Sequence, residues 1–177
     1  LDRSSAASDV YKRQLYVTDS ATGMVFAVSS SGKVSPWATG DSLSGSPACP
    51  APLPFPMGAN GIVMTPAAAF VANTAKGSVV RISILPDGSA GSQVTLFEDC
   101  RYVGLDGMAL ANDGALWIAQ NGAPGRLLRM APSGNVTVVH DGAPLDGPAS
   151  VAFVDRWDGA RSLLVTNAAF FLSLIHI

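Results

Sequence analysis

The sequence predicts an all-β fold built from a repeated unit of four short strands. Short apolar runs broken by Gly, Asn, Asp and Pro follow one another along the chain, which is typical of consecutive hairpins. One complete unit lies between Gly104 and Gly142, and its four runs are Met108–Leu110, Leu116–Ala119, Leu127–Met130 and Val136–Val139. The pattern recurs at intervals of 54, 47 and 47 residues. A repeat of this length with four strands per period predicts a β-propeller, whose antiparallel blades stack on their neighbours.

The repeat is clearest in the second strand of each unit. A large apolar residue stands in one column, and we expect it to fill the space between blades: Tyr16, Phe70, Trp117 and Leu164. A polar residue ends the strand in another column, and we expect it to cap the hairpin: Asp19, Asn73, Gln120 and Asn167. For the same packing reason, core roles are predicted for Met64, Met108, Trp117 and Phe153.

Counting strands gives three from Leu15 to about Ala38, four from Asn60, four from Asp106 and two from Ala149, which predicts a fragment of about three and a quarter blades from a six-bladed ring. The predicted blade remnants are 15–39, 60–97, 106–139 and 149–171. Because a partial ring exposes unpaired strand edges at both ends, we expect 15–171 alone to fold poorly.

Both ends of the chain resemble translated sequencing adapter rather than protein-coding sequence. Ser4–Gln14 reads SSAASDVYKRQ and Leu172–Ile177 reads LSLIHI, and both match in-frame translations of the two ends of one transposon-based adapter. We therefore assign 1–14 and 172–177 to the adapter and exclude them from fold reasoning. The remaining part, 15–171, is predicted to be a partial β-propeller cut from a longer gene.

Composition excludes several classes of function. The chain has 177 residues, a net charge of -2 and no cluster of Lys or Arg, which disfavours nucleic-acid binding. It contains no apolar stretch as long as a membrane span. Its 18 Gly and 12 Pro in a chain that is 48% hydrophobic are typical of a globular protein with many turns.

Two cysteines stand in loops that each lead into a new unit. Cys49 lies in the irregular, proline-rich segment Asp41–Met57, and Cys100 lies just before the next unit. They form no metal-binding motif, so the alternatives are a disulfide between the two loops and a pair of free thiols. The segment Asp41–Met57 is either a binding loop or a surface insertion.

Two polar residues open the first strands of consecutive units. These are Asn60, in an Ala-Asn-Gly sequence, and Asp106, in a Leu-Asp-Gly-Met sequence, one blade apart. Asn-Gly and Asp-Gly are also ordinary turn dipeptides, so spacing alone leaves a structural role open. Arg101 and Tyr102 precede the Asp106 strand and are weaker candidates for a substrate rim. His140 is expected on the solvated surface.

The runs from Gly58 to Gly91, from Gly104 to Ala119 and from Leu145 to Phe170 resemble the gluconolactonase and senescence-marker-protein (regucalcin) family, most closely its bacterial members. The resemblance implies a six-bladed propeller with a divalent metal in the central channel. The family holds this metal with a Glu from an early blade, an Asn at an NG strand opening and an Asp at a DGM strand opening. Asn60 and Asp106 match the latter two; the Glu falls upstream of Leu15, and Ala149 occupies the equivalent position of the next blade.

The resemblance also implies an activity. Family members include lactone hydrolases, in which the Asp is thought to act as general base. Asn60 and Asp106 would then be metal ligands, with Asp106 also catalytic, Ca²⁺ the expected cation and Zn²⁺, Mg²⁺ or Mn²⁺ alternatives. The substrate would be a lactone or another sugar-derived small molecule, and a periplasmic or secreted location is favoured over the cytoplasm. The alternative is a non-catalytic propeller that binds a small ligand or a protein partner.

Overall fold

A computed structural model of the chain describes residues 8–11, 14–45, 49, 56–122 and 124–168. Apart from one short 3-10 helix, Cys100–Tyr102, its regular elements are β-strands. The first sheet contains β1 (Ser8–Tyr11), β2 (Gln14–Asp19), β3 (Met24–Val28) and β4 (Val34–Ala38). The second contains β5 (Ala59–Met64), β6 (Ala68–Asn73), β7 (Ser78–Ile84) and β8 (Ala90–Glu98). The third contains β9 (Leu105–Leu110), β10 (Leu116–Gln120), β11 (Arg126–Met130) and β12 (Val136–Asp141), and the fourth contains β13 (Pro148–Asp155) and β14 (Arg161–Asn167).

Each sheet is an antiparallel meander whose strands follow one another in chain order. The first strand of each sheet therefore lies at one edge, next to the first strand of the following sheet. This arrangement confirms the predicted all-β, partial propeller with four-stranded blades. Among the described residues, no helix is long and apolar enough to cross a membrane.

The first sheet differs from the prediction of three strands beginning at Leu15. It has a fourth strand, β1, which pairs with β2 so that Ser8 lies opposite Val17. β1 falls inside 1–14, the segment assigned to the adapter. An edge strand offers unpaired N–H and C=O groups, and any extended segment satisfies them through its main chain alone. The adapter origin of 1–14 and 172–177 stays a prediction.

The predicted hairpin turns lie where the glycines stand. Gly88 and Gly134 both have φ of 89°, a left-handed conformation that a residue with a side chain rarely adopts. Their amides close the turns by donating 2.8 Å hydrogen bonds to the carbonyls of Leu85 and Ala131, respectively. The turn chemistry therefore sets the register of both hairpins.

The hydrophobic core lies between adjacent sheets. Three buried clusters fill the three gaps, and neighbouring residues of one strand belong to different clusters. Ile62 packs between the first two sheets and Val63 between the second and third, because successive side chains of a strand point to opposite faces. The inner strands β5 and β9 thus each contribute to two gaps, which fixes their positions between the neighbouring sheets.

The large apolar residue at the aligned position of each second strand lies in these gaps, as expected, in three of the four sheets. Tyr16 is fully buried, and Phe70 and Trp117 are partly buried against the second and third clusters. Leu164 differs, since its exposure is 55%. It belongs to β14, the last described strand, beyond which no further described sheet covers it. Of the predicted core residues, Met108 is fully buried, whereas Met64, Trp117 and Phe153 are partly buried.

Candidate metal and catalytic site

Asn60 and Asp106 occupy the same position in neighbouring inner strands. Each is the second residue of its strand, β5 or β9. The two strands approach so closely that a Cβ on Gly61 would lie 2.1 Å from the carbonyl oxygen of Asp106. Only glycine permits this contact, so the Asn-Gly dipeptide brings the two strand openings together.

Asp106 is half-buried and carries an unusual carboxyl group. Burial raises its pKa to about 6, even though hydrogen bonds from the side chains of Asn121 and Asn60 act in the opposite direction. The Asn121 contact joins Nδ2 to Oδ2 of Asp106 at 3.4 Å. None of the ion pairs among the described residues includes Asp106. A partly desolvated carboxylate without a cationic partner is a common feature of functional sites.

The Asn60 side chain is oriented by Thr74. The hydroxyl of Thr74 donates to the carbonyl of Leu105 at 2.7 Å, which uses its one hydrogen. Thr74 Oγ1 must therefore accept the 3.1 Å hydrogen bond from Nδ2 of Asn60. The amide oxygen of Asn60 consequently points away from Thr74, and no group in the described part of the chain donates a hydrogen bond to it. The main chain is held as well, because the Thr18 hydroxyl donates to the carbonyl of Asn60.

These two side chains fit part of a hard-cation site. A carboxylate and an amide oxygen are the donors that Ca²⁺, Mg²⁺ and Mn²⁺ prefer. Within the described residues no group of three or more His, Cys, Asp and Glu side chains could hold a metal ion. Ala149 opens β13 at the equivalent position and supplies no donor. Of the residues predicted as ligands, the described part of the chain thus contains Asn60 and Asp106, and their role as metal ligands stays a prediction.

Arg101 lies at the surface, and its guanidinium is engaged by Asp99. Nε and Nη2 of Arg101 both donate to the Asp99 carboxylate. The guanidinium carbon Cζ of Arg101 lies 5.6 Å from the centre of the Tyr102 ring. The substrate-rim role of Arg101 therefore stays a prediction. His140 is exposed, as expected, with Nε2 2.9 Å from the carbonyl oxygen of Ala143.

The polar residues that end the second strands do more than cap hairpins. Asp19 accepts from the amides of Ala21 and Thr22, which is the expected cap. Asn73 makes the same kind of cap, since its Oδ1 accepts from the amide of Lys76. In addition, the side-chain amides of the other three residues donate to loops that lead into their own sheets: Asn73 to Ser42 and Ser44, Gln120 to Arg101 and Val103, and Asn167 to Pro144. The difference follows from chemistry, since a carboxylate has no hydrogen to donate to a carbonyl.

Two residues of the site were not found by sequence reasoning. Thr74 and Asn121 each stand one position after the polar column, directly following Asn73 and Gln120. A sequence signal was present, because extending the alignment by one residue gives Ser20, Thr74, Asn121 and Ala168, of which the first three are polar. Its meaning depends on which strand opening each side chain reaches, and that is a property of the fold.

Cys49 and Cys100 form a disulfide, with Cα atoms 5.5 Å apart. The bond joins the loop before β5 to the loop before β9, so it ties together the two loops that lead to Asn60 and Asp106. Of the irregular segment Asp41–Met57, residues 46–48 and 50–55 lie outside the described part of the chain. Its proposed binding role therefore stays a prediction.

Solved structures with the same fold include enzymes and a metal-binding protein. A protein assigned as a gluconolactonase superposes with a TM-score of 0.65 at 17% identity, covering 94% of this chain and 57% of its own. The calcium-binding protein regucalcin from Agrobacterium tumefaciens superposes with a TM-score of 0.62 at 18% identity, covering 90% of this chain and 51% of its own. Virginiamycin B lyase from Staphylococcus aureus superposes with a TM-score of 0.57 at 18% identity, covering 96% of this chain and 55% of its own. The chain thus spans about half the length of these proteins.

No curated protein sequence matches the chain. The profile of one protein family does match, over residues 56–169, a range that contains both Asn60 and Asp106. It covers more than half of the chain and agrees with the propeller fold described above. The chain belongs to the SMP-30/gluconolactonase/LRE-like family.

Proposed function

We propose that the chain is part of a metal-dependent, lactonase-like hydrolase that opens a sugar-derived or related lactone. The observation that carries this proposal is the half-buried Asp106 carboxyl beside Asn60, without a cationic partner among the described residues. Membership of a family that includes gluconolactonases supports it. The likeness to a calcium-binding protein supports Ca²⁺ as the first cation to test.

In this proposal each residue has a defined task. The amide oxygen of Asn60 and a carboxylate oxygen of Asp106 hold the cation, which, when bound, polarises the lactone carbonyl as a Lewis acid. Asp106 also accepts a proton from water as the water oxygen attacks that carbonyl. The ring C–O bond then breaks, the departing oxygen takes up a proton, and the product is a hydroxy acid. In the metal-free protein burial raises the pKa of Asp106 to about 6, and a bound cation would lower it again, so the carboxyl is ionised and able to accept a proton at pH 7.

A second proposal concerns location. The Cys49–Cys100 disulfide supports a periplasmic or secreted protein, because such bonds persist mainly in oxidising compartments. Thiol labelling of the protein isolated from its native cells is the test. Protected cysteines that become reactive only after reduction support export, whereas freely reactive thiols contradict it.

Hydrolysis by the full-length protein that contains this segment tests the first proposal. Aldonolactones are offered with Ca²⁺, Mg²⁺, Mn²⁺ or Zn²⁺, and we expect EDTA to abolish hydrolysis and the cation to restore it. Asp106→Ala should lower kcat/KM by at least about 100-fold, since it removes both a ligand and the base. His140→Ala, at an exposed position outside the site, is the matched control.

Two results would argue against the lactonase. Hydrolysis that survives both EDTA and Asp106→Ala would exclude a metal-dependent reaction at this site. Metal or lactone binding without turnover would favour the non-catalytic propeller instead. That alternative has one observation in its favour: the described residues supply only two metal ligands.

A further inference from the structure

Ser20, Thr74 and Asn121 occupy one structural column. Each directly follows the polar residue that ends the second strand of its sheet, at the same end of the propeller as Asn60 and Asp106. Because the sheets are repeats, residues of one column are expected to make equivalent contacts. A member that departs from the shared contact therefore marks a place where the repeat has been adapted.

Ser20 and Thr74 do make equivalent contacts. The Ser20 hydroxyl donates to the carbonyl of Ala59 at 2.9 Å, and the Thr74 hydroxyl donates to that of Leu105 at 2.7 Å. Ala59 and Leu105 immediately precede Asn60 and Asp106. Each hydroxyl thus fastens the opening of the inner strand in the following sheet.

The main chain of the same residues adds a second attachment. The carbonyls of Ser20 and Thr74 accept hydrogen bonds of 2.7 and 2.8 Å from Gly58 and Gly104, respectively. In both cases the glycine stands just before the strand opening. Ser20 and Thr74 are therefore structural latches between one sheet and the next.

Asn121 departs from this pattern. Its side chain turns to its own sheet, where Nδ2 lies 3.4 Å from Oδ2 of Asp106. Its main chain is held tightly, since its amide donates to the carbonyl of Gly104 at 2.7 Å. Gly104 has φ of 98°, and a Cβ there would lie 2.1 Å from the Asn121 carbonyl oxygen. The backbone of Asn121 is consequently fixed at the distance that lets its amide reach the carboxyl group.

We infer that Asn121 is a positioning residue of the metal site, which holds one oxygen of Asp106 and so presents the other beside Asn60. This inference rests on the proposed metal-dependent function. At 3.4 Å the contact is long for a hydrogen bond, and such contacts commonly shorten when a site is occupied. An amide suits the task because it donates to the carboxylate without adding a charge that would compete with the cation.

Two substitutions of nearly the same shape separate this role from a structural one. Asn121→Leu keeps the branched side chain and removes the donor, so we expect Ca²⁺ and Mn²⁺ affinity to fall about 10- to 100-fold. Asn121→Asp also removes the donor but adds a negatively charged oxygen beside the site, so we expect the affinity for both ions to be maintained or increased. Asn135→Leu, in an exposed turn, is the matched control and should bind as the unmodified protein does.

The measurement is calorimetric titration of Ca²⁺ or Mn²⁺ into the metal-stripped full-length protein, with thermal unfolding in EDTA measured in parallel. Equal metal affinity in Asn121→Leu and the unmodified protein, with binding abolished in Asp106→Ala, would overturn the inference and leave the metal site intact. Equal losses of metal affinity in Asn121→Leu and Asn121→Asp, accompanied by lower unfolding temperatures, would reduce Asn121 to a structural role. Absence of Ca²⁺ and Mn²⁺ binding in the unmodified protein would remove the metal site itself.

Discussion

A charged side chain lies at each end of the inner strands β5, β9 and β13, and the two differ in whether an oppositely charged group lies beside them. At the end where the strands begin, the Asp106 carboxyl is half-buried, and its hydrogen-bonding partners within the described part of the chain are neutral groups. At the end where they finish, a cleft of about 400 Å³ is lined by Met64, Leu110 and Phe153, among others, and contains the charged Arg161. The guanidinium there lies 4.6 Å above the Phe153 ring, donates to Asn112 and approaches Asp155 at 3.5 Å.

This contrast supports the proposal that the Asp106 end is organised for binding and the Arg161 end for stability. The charge of Arg161 is compensated within the chain by a carboxylate, an amide oxygen and an aromatic face. The Asp106 carboxyl accepts hydrogen bonds from neutral amides but has no cationic partner among the described residues, and burial outweighs those hydrogen bonds, so its pKa is raised. A fold keeps the cost of such burial where a ligand repays it. The cleft around Arg161 is therefore interpreted as an inter-blade contact and the Asp106 end as the site.

The largest effect on stability is expected from the disulfide at the site end. The bond closes a loop with a sequence separation of 51 residues, and its removal by replacing Cys49 and Cys100 with Ser should lower the free energy of unfolding by about 2–4 kcal/mol. Denaturant unfolding of the full-length protein measures this. Reduction of the unmodified protein is the control and should produce the same loss. Metal affinity should change far less, since neither cysteine is a ligand; unchanged stability would mean that the bond does not form in solution.

A smaller effect on the free energy of unfolding, this time an increase, is expected from Asp106→Asn in EDTA. Because its pKa is about 6 in the folded protein against 3.8 as the ordinary value, the folded state binds this proton more tightly than the unfolded state does. The contribution of Asp106 to the free energy of unfolding should therefore be highest below pH 4, fall between pH 4 and 6, and remain low above pH 6. At pH 8 the substitution should stabilise the metal-free protein by up to about 3 kcal/mol, reduced by solvent screening.

Unfolding measured from pH 4 to pH 8 checks this prediction. The fall in stability should be present in the unmodified protein and strongly reduced in Asp106→Asn. At pH 8 saturating Ca²⁺ should make the unmodified protein more stable than Asp106→Asn, because the cation stabilises only a protein that binds it. Identical pH profiles for the two proteins would show that Asp106 is not desolvated and would remove the main contrast between the two ends.

The smallest effect is expected at the opposite end. Arg161→Ala removes a partly exposed ion pair and a ring contact, so the free energy of unfolding should fall by roughly 1 kcal/mol or less. Metal affinity and kcat/KM should not change. Arg161→Lys is the matched variant, since it keeps the charge and loses the planar group that lies on Phe153. A large loss of activity in either variant would contradict the assignment of this end to structure.

Much of the fold was predictable because it depends on local pattern. The spacing of Tyr16, Phe70 and Trp117 predicts the repeat, and the glycines of the turns predict where hairpins close. Asn60 and Asp106 were found through their strand openings and a family resemblance. β1 was not predicted, because its pairing depends on the exposed edge of β2 rather than on its own sequence.

The sequence by itself determined the all-β repeat and the places where its hairpins turn, because both follow from short-range periodicity and turn chemistry. The two candidate oxygen donors one blade apart came from their strand openings together with the family resemblance. Only the tertiary structure decided that Cys49 and Cys100 pair, that Thr74 orients Asn60 and that Asn121 reaches Asp106 rather than the next sheet. These contacts join residues of different strands and loops, and their geometry depends on how closely backbones approach at Gly61 and Gly104. Such distances arise from packing between sheets, which a one-dimensional pattern does not contain.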